Sequence, residues 1–183
     1  MASISFALQS LYWEEYSLTL PDVNQLVGAQ SPDVQARLSE TELRAWQALL
    51  HAHHDVTRRL DAELREEHGL SLGAYDVLLR LARAPGRALH MTELAKRVML
   101  SPSGLTRLVD QLVDEGLAQR RRVDHDARLV MAGLTDRGRQ VIRQAAKTHL
   151  RGIREHFTGR LSEAQLRNVA SALEAISGPH KPH

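Results

Sequence analysis

MTELAKRVML-SPSGLTRLVDQLVDEGL-AQRRRVDHDARLVMAGLT, from Met91 to Thr135, decides how this chain is read. It has the pattern of a short helix, a turn, a second helix and a charged β-hairpin. Thr92 is placed to cap the first helix, with Glu93 in its first turn, where a carboxylate complements the helix dipole. Leu94, Ala95 and Val98 give that helix a small apolar face. Ser101 then restarts the chain with a side-chain oxygen at the N-cap, and Pro102 takes the first helical position. Leu105, Leu108, Val109, Leu112 and Val113 form the stripe this helix buries, and Gly116 ends it by accepting positive φ at little cost. Ser103, Gly104, Thr106 and Arg107 lie opposite the stripe, near the helix N-terminus. In a helix-turn-helix that end approaches base edges and phosphates in the major groove.

Leu117-Ala118 opens one strand and residues 129–132 form a second. Arg120, Arg121, Arg122 and Arg128 crowd the hairpin between them, interspersed with Asp124, His125 and Asp126. Exposed ion pairs contribute only about 0–1 kcal/mol each, so stability alone is a poor reason for this concentration of arginine. An arginine at a ribbon tip suits the negative potential of a narrow minor groove. The expected DNA contacts are therefore Ser101, Pro102, Ser103, Gly104, Thr106, Arg107, Arg120, Arg122 and Arg128.

With these residues in view, the chain resembles the MarR-type (multiple antibiotic resistance regulator) winged helix-turn-helix transcription factors. The resemblance runs from about Glu40 to the end and rests on GLSLGAYDVLLRLARAPG, SPSGLTRLVDQLVDEGLAQR, the Asp126-x-Arg128 wing motif and LTDRGR. It implies that Arg128 enters the minor groove while Asp126 braces it through an ion pair. Ala127 stands where many relatives carry another arginine, which makes this wing less basic than is usual.

Composition agrees with an aliphatic, helical protein: 43% of the 183 residues are hydrophobic and only 4% aromatic. The net charge is +2, so a DNA reader of this composition must localise its positive charge, as residues 120–128 do. No cysteine is present, which excludes disulfides, thiolate metal sites and a thiol redox switch, and fits a cytoplasmic protein. No signal segment or membrane span is expected.

Outside the reader, residues 1–39 form an N-terminal extension, either helical or disordered, with an aromatic clump at Leu11, Tyr12, Trp13 and Tyr16. Ser39 and Glu42 fit a capping box for a long helix to about Glu67, with Leu43, Trp46, Leu50, His53, Leu60 and Leu64 on one stripe. A helix from Leu72 to Arg83 follows. After the reader come a helix from Thr135-Asp136 to about Phe157 and a last one from Ser162-Glu163 with the stripe Leu166, Val169, Leu173 and Ile176. The expected fold is mainly α with a small β-wing. Its winged helix-turn-helix domain spans 71–134, between dimerisation helices at 40–70 and 135–178. Terminal stripes this long are best buried against a second copy, at about 25 cal/mol per Å² of apolar surface. In the family the terminal helices interlock as a two-fold dimer, which would read a palindrome through helices about 34 Å apart.

The resemblance also implies a small-molecule cleft, often for phenolic or aromatic carboxylate compounds. Trp46, Leu50, His53, Tyr75 and Leu79 could line one, although each residue taken alone reads more simply as core. Asp76 and Arg107 are a second candidate pair: Arg107 either meets a phosphate or bonds Asp76 and couples the reader to the upper helices. His51 and His54, with His149 and His156, invite a zinc reading. No HxxxH, cysteine or acidic cluster supports it, so no metal and no cofactor is expected. Glycine-rich phosphate loops, nucleophile elbows and HExxH are absent, which argues against an enzyme. The reading is a homodimeric, cytoplasmic regulator of transcription. It would bind a palindromic operator on double-stranded DNA, repress, and be released by a small phenolic or aromatic effector, with no membrane partner. The alternatives are a metal-responsive regulator of the same fold and a winged-helix interaction module that does not bind DNA; the Arg-rich wing argues against the latter.

Overall fold

Ser101, Pro102 and Gly116 delimit the central helix as their chemistry requires. The computed structural model describes residues 38–98, 100–123 and 126–177, the side chains of 122, 123 and 126–129 excepted. The aromatic clump at residues 11–16 lies outside the described residues. The chain divides into two units, Met1–Asp55 and Val56–His183. In chain order the elements are α1 (Glu40–His68), α2 (Leu72–Arg83), β1 (Ala88–His90), α3 (Met91–Arg97), α4 (Pro102–Asp114), β2 (Ala118–Val123), β3 (Asp126–Leu134), α5 (Asp136–His156) and α6 (Glu163–Ser177). Single 3-10 turns at Pro85–Arg87 and Thr158–Arg160 follow α2 and α5. The architecture is mainly α with a small antiparallel sheet, as the sequence implies.

In the first unit, α1 opens with the predicted capping box. The Ser39 backbone N–H donates to Glu42 Oε2 at 2.8 Å, and the Glu42 N–H donates to Ser39 Oγ at 3.3 Å. The Ser39 hydroxyl, donating to Glu42 Oε2 at 2.6 Å, and then the Ser39 backbone N–H hold the Glu42 carboxyl below its ordinary pKa. Leu38, Trp46 and Leu49 are exposed on this part of the helix.

In the second unit, Leu64, Leu70, Val77, Leu78, Leu81, Leu94, Leu105, Val109 and Leu112 are fully buried and form the centre of the core. Asp61, itself buried, organises the joint between α1 and α2. Its Oδ1 accepts the Leu72 N–H at 2.8 Å, while Oδ2 accepts from Arg65 Nε at 2.6 Å. Ser71 caps α2 by accepting from the Ala74 N–H at 3.1 Å.

The sheet has three strands, in the order β1-β3-β2, where a two-stranded ribbon was expected. Ala88, Leu89 and His90 pair with Gly133, Ala132 and Met131. On the other side of β3, Ala118 faces Leu134 and Arg122 faces Val130, with a register shift between Arg122 and Val123. The added strand also corrects the start of α3. His90 is held extended by its pairing (φ −61°, ψ 141°), so the helix begins at Met91, and Thr92 lies inside its first turn rather than at the cap.

Where the sheet returns to helix, Thr135 and Gly138 do the joining. The Thr135 hydroxyl lies 2.8 Å from the Gly116 carbonyl oxygen and 3.0 Å from that of Leu117, and it accepts from the Gly138 N–H at 2.9 Å. Gly138 is buried so closely that a Cβ on it would lie 2.0 Å from the Leu117 carbonyl oxygen. The LTDRGR motif is thus the lock between the root of the wing and α5. The last helix, α6, has no buried residue. Its Leu173 and Ile176 are exposed, Ile176 by 79%.

Candidate nucleic-acid interface

The N-terminal end of α4 is built for display. Ser101 sits extended (φ −65°, ψ 152°) and its Oγ accepts the Gly104 N–H at 3.1 Å, satisfying an otherwise orphaned donor of the helix start. A Cβ at Gly104 would lie 3.1 Å from that same oxygen, so the small residue leaves room for the cap. Thr106 Oγ1 donates back to the Pro102 carbonyl at 3.0 Å. Ser101, Pro102, Ser103, Thr106 and Arg107 are exposed and Gly104 is half-buried, while Leu105, Val109 and Leu112 bury the opposite face. Leu108 and Val113, also expected on the buried stripe, are half-buried. Arg107 makes no hydrogen bond or ion pair with any described residue, which leaves its guanidinium available to a phosphate or a base edge.

Arg120 behaves differently. Its Nη2 lies 2.9 Å from Asp110 Oδ1 and donates to the Thr106 carbonyl at 3.2 Å. The residue ties strand β2 to the recognition helix, and much of its charge is already matched by Asp110. Arg121, one residue on, is exposed. It lines a hollow of about 640 Å³ together with Arg87, Gln119 and Gly133. The backbone of Arg87 is left-handed (φ 57°), a conformation uncommon for a residue with a side chain. Neither Tyr75 nor Leu79 lines this hollow. Arg122, Asp126 and Arg128 belong to β2 and β3 by backbone, and their side chains, including the expected Asp126–Arg128 brace, lie outside the described residues.

The expected coupling pair is not formed here. Both oxygens of Asp76 accept from Arg80 Nε at 3.1 Å, one turn along α2, so the carboxylate is engaged within its own helix rather than with Arg107.

Of the expected ligand-cleft residues, Trp46 and His53 are exposed and Leu50 half-buried on the first part of α1. In the second unit Tyr75 is buried in the core and Leu79 is half-buried. Tyr75 stacks on His149 of α5 with ring centroids 4.4 Å apart and planes 28° from parallel. Burial raises the Tyr75 pKa and lowers that of His149, so the stack favours a neutral imidazole.

The expectation that no acidic group accompanies the histidines is also corrected. Glu63 of α1 meets His156 of α5 across 93 residues of sequence, with Glu155 beside them. No sequence pattern announces this cluster, because α1 and α5 come together only in the folded chain.

A helix with a polar, exposed, serine-capped N-terminus, followed at once by a hairpin of arginines, is a DNA-reading arrangement. The MarR family model matches residues 68–129, from the end of α1 into the wing. Over that stretch the chain is similar to the MarR family. That likeness supports a DNA-binding transcriptional regulator rather than an enzyme. Among curated relatives it is 28% identical to the HTH-type transcriptional repressor YetL of Bacillus subtilis (strain 168) over 112 residues, which cover 60% of this chain and 67% of that protein. Two solved structures of MarR family transcriptional regulators from Streptomyces coelicolor are each 29% identical to it. AbsC matches with a TM-score of 0.71 over 77% of this chain and 95% of its own. Sco3205, solved in complex with DNA, matches with a TM-score of 0.72 over 80% of this chain and 92% of its own. No helix among the described residues is long and apolar enough to cross a membrane.

Proposed function

We propose that this chain is a MarR-type homodimeric repressor that binds a palindromic operator and is released from it by a small phenolic or aromatic effector. The observation that carries the DNA half of the reading is the exposed N-terminal row of α4 with an unengaged Arg107. Ser101, Pro102, Ser103, Gly104 and Thr106 would approach base edges and phosphates, and Arg107 would take a phosphate or a guanine edge. Arg122 and Arg128 would reach the minor groove from the wing. Arg120 acts mainly by holding the wing against α4 through Asp110.

Dimerisation is supported by the apolar side chains that single helices leave in water. These are Trp46 and Leu49 on the first part of α1 and, on α6, Leu173 and Ile176. Repression is supported by the repressor named among the relatives. The effector and its release of the operator follow from the family resemblance.

Genomic fragments selected by the purified full chain, then footprinted, test this reading. Two protected half-sites related by a dyad, with centres about 10 bp apart, are the expected result. A single unsymmetrical half-site, together with a monomer in sedimentation at micromolar concentration, would overturn the dimeric reading.

A further inference from the structure

Helices α1 and α5 meet closely at Gly152, which is buried. A Cβ there would lie 2.6 Å from Leu60 Cδ2 and 2.8 Å from Glu63 Oε2. The missing side chain thus leaves room for the Glu63 carboxylate against α5, one turn from His156. Glu63, Glu155 and His156 each present a ligand atom, and these atoms lie within 4.8 Å of one another. The His156 side chain is only 6% exposed and that of Glu63 23%. His156 Nε2 contacts Glu63 Oε1, yet Glu63 Oε2 and His156 Nδ1 are both buried with no hydrogen-bond partner among the described residues.

A buried oxygen and a buried nitrogen without partners are costly unless something else satisfies them. The nearby cation is Arg151, but its guanidinium is bonded to Glu67 and lies 4.0 Å from Glu63 Oε2, beyond hydrogen-bond reach. The carboxylate is therefore electrostatically primed and chemically unfinished.

We propose that Glu63, Glu155 and His156 form a binding site for a divalent transition-metal ion that clasps α1 to α5. One imidazole and two carboxylates are a donor set suited to zinc, with a further position open to water. The proposal does not rest on the DNA-binding reading, since His156 stands at the end of α5 opposite the wing root.

The test uses the full chain, stripped of metal, and zinc chloride titrated against a chromophoric competitor. One ion per chain is expected, with E63Q and H156Q each weakening binding at least about tenfold, the loss expected when one of three ligands goes. A H51A/H54A double variant, which alters histidines outside the cluster, should bind like the parent. Zinc should also raise the melting temperature of the parent and not that of H156Q. Circular dichroism checks that both single variants fold. Because Glu155 is exposed, E155Q offers a third variant with little structural risk, and it too should weaken binding. Absence of zinc binding by the parent, or unchanged affinity in folded E63Q, H156Q or E155Q, would overturn the proposal.

Discussion

Alanine at Gly138 would put a methyl group 2.0 Å from the Leu117 carbonyl oxygen, 2.9 Å from Leu134 Cδ1 and 3.0 Å from the Leu117 carbonyl carbon. Two of those three atoms are backbone, so no side-chain rotation relieves the contact. The first turn of α5 must move away from the wing root by about 1 Å or more, and overpacking of this kind costs about 1–3 kcal/mol, sometimes more. The shift also strains the Thr135 N–H bond to the Leu117 carbonyl at 3.2 Å and the hydroxyl contact at 3.0 Å. Each hydrogen bond is worth about 1 kcal/mol net, so about 3 kcal/mol or more in total is expected. For a chain of this size that lowers the melting temperature by about 6–12 °C. Differential scanning calorimetry at fixed protein concentration measures it, since a dimer's melting point depends on concentration. Two other glycines calibrate the result. A Cβ at Gly133 meets nothing nearer than 3.5 Å, and one at Gly152 meets only the far ends of Leu60 and Glu63. Gly133→Ala should therefore stay within about 1 kcal/mol of the parent, and Gly152→Ala should fall between the two. A Gly138→Ala protein that melts within about 2 °C of the parent would refute the steric reasoning, since that is under 1 kcal/mol.

Three further outcomes follow from the same contacts. Asp61→Ala strips the half-buried Leu72 N–H of its acceptor and should cost about 1–3 kcal/mol in urea denaturation, whereas a loss under about 0.5 kcal/mol would deny Asp61 its role at the joint. Arg120→Ala should change the salt dependence of duplex binding less than Arg107→Ala does, because Asp110 already pairs with Arg120; equal changes would contradict that ranking. Burial lowers the His149 pKa in the folded chain, so the unfolded chain takes up its proton first as pH falls. The stabilisation by neutral His149 is complete above its unfolded pKa of about 6.5, and is lost as pH drops from there to the lower folded value. His149→Phe keeps a ring on Tyr75 and should flatten that part of the stability–pH curve; an unchanged curve would assign the slope elsewhere.

The features legible in the sequence were those whose causes are local. Ser39, Ser101 and Thr135 cap the helices they precede because a side-chain oxygen and the N–H groups two or three residues on are all that is required. The α4 stripe was legible for a similar reason, since its periodicity mirrors burial. Strand β1 was not, because Ala88-Leu89-His90 is too short to show alternation and becomes a strand only by pairing with β3. Missing it moved the expected start of α3 by two residues. Among the site residues, the exposed row of α4 was readable from its polar face. The engagement of Arg120 by Asp110 and of Asp76 by Arg80 was not, since a charged residue in sequence does not declare its partner. The meeting of Glu63 and His156 depends on Gly152, whose importance appears only once two helices approach over it.

The central claim is that the N-terminus of α4 and the arginine wing together grip a duplex. Its most direct test is the affinity of the full chain for a selected operator fragment, measured from low to high salt. A steep linear fall of log K with log salt is predicted, and Arg107→Ala or Arg128→Ala should each reduce the slope by about one, as loss of a single phosphate contact does. A flat salt dependence, or slopes indifferent to both substitutions, would contradict the account.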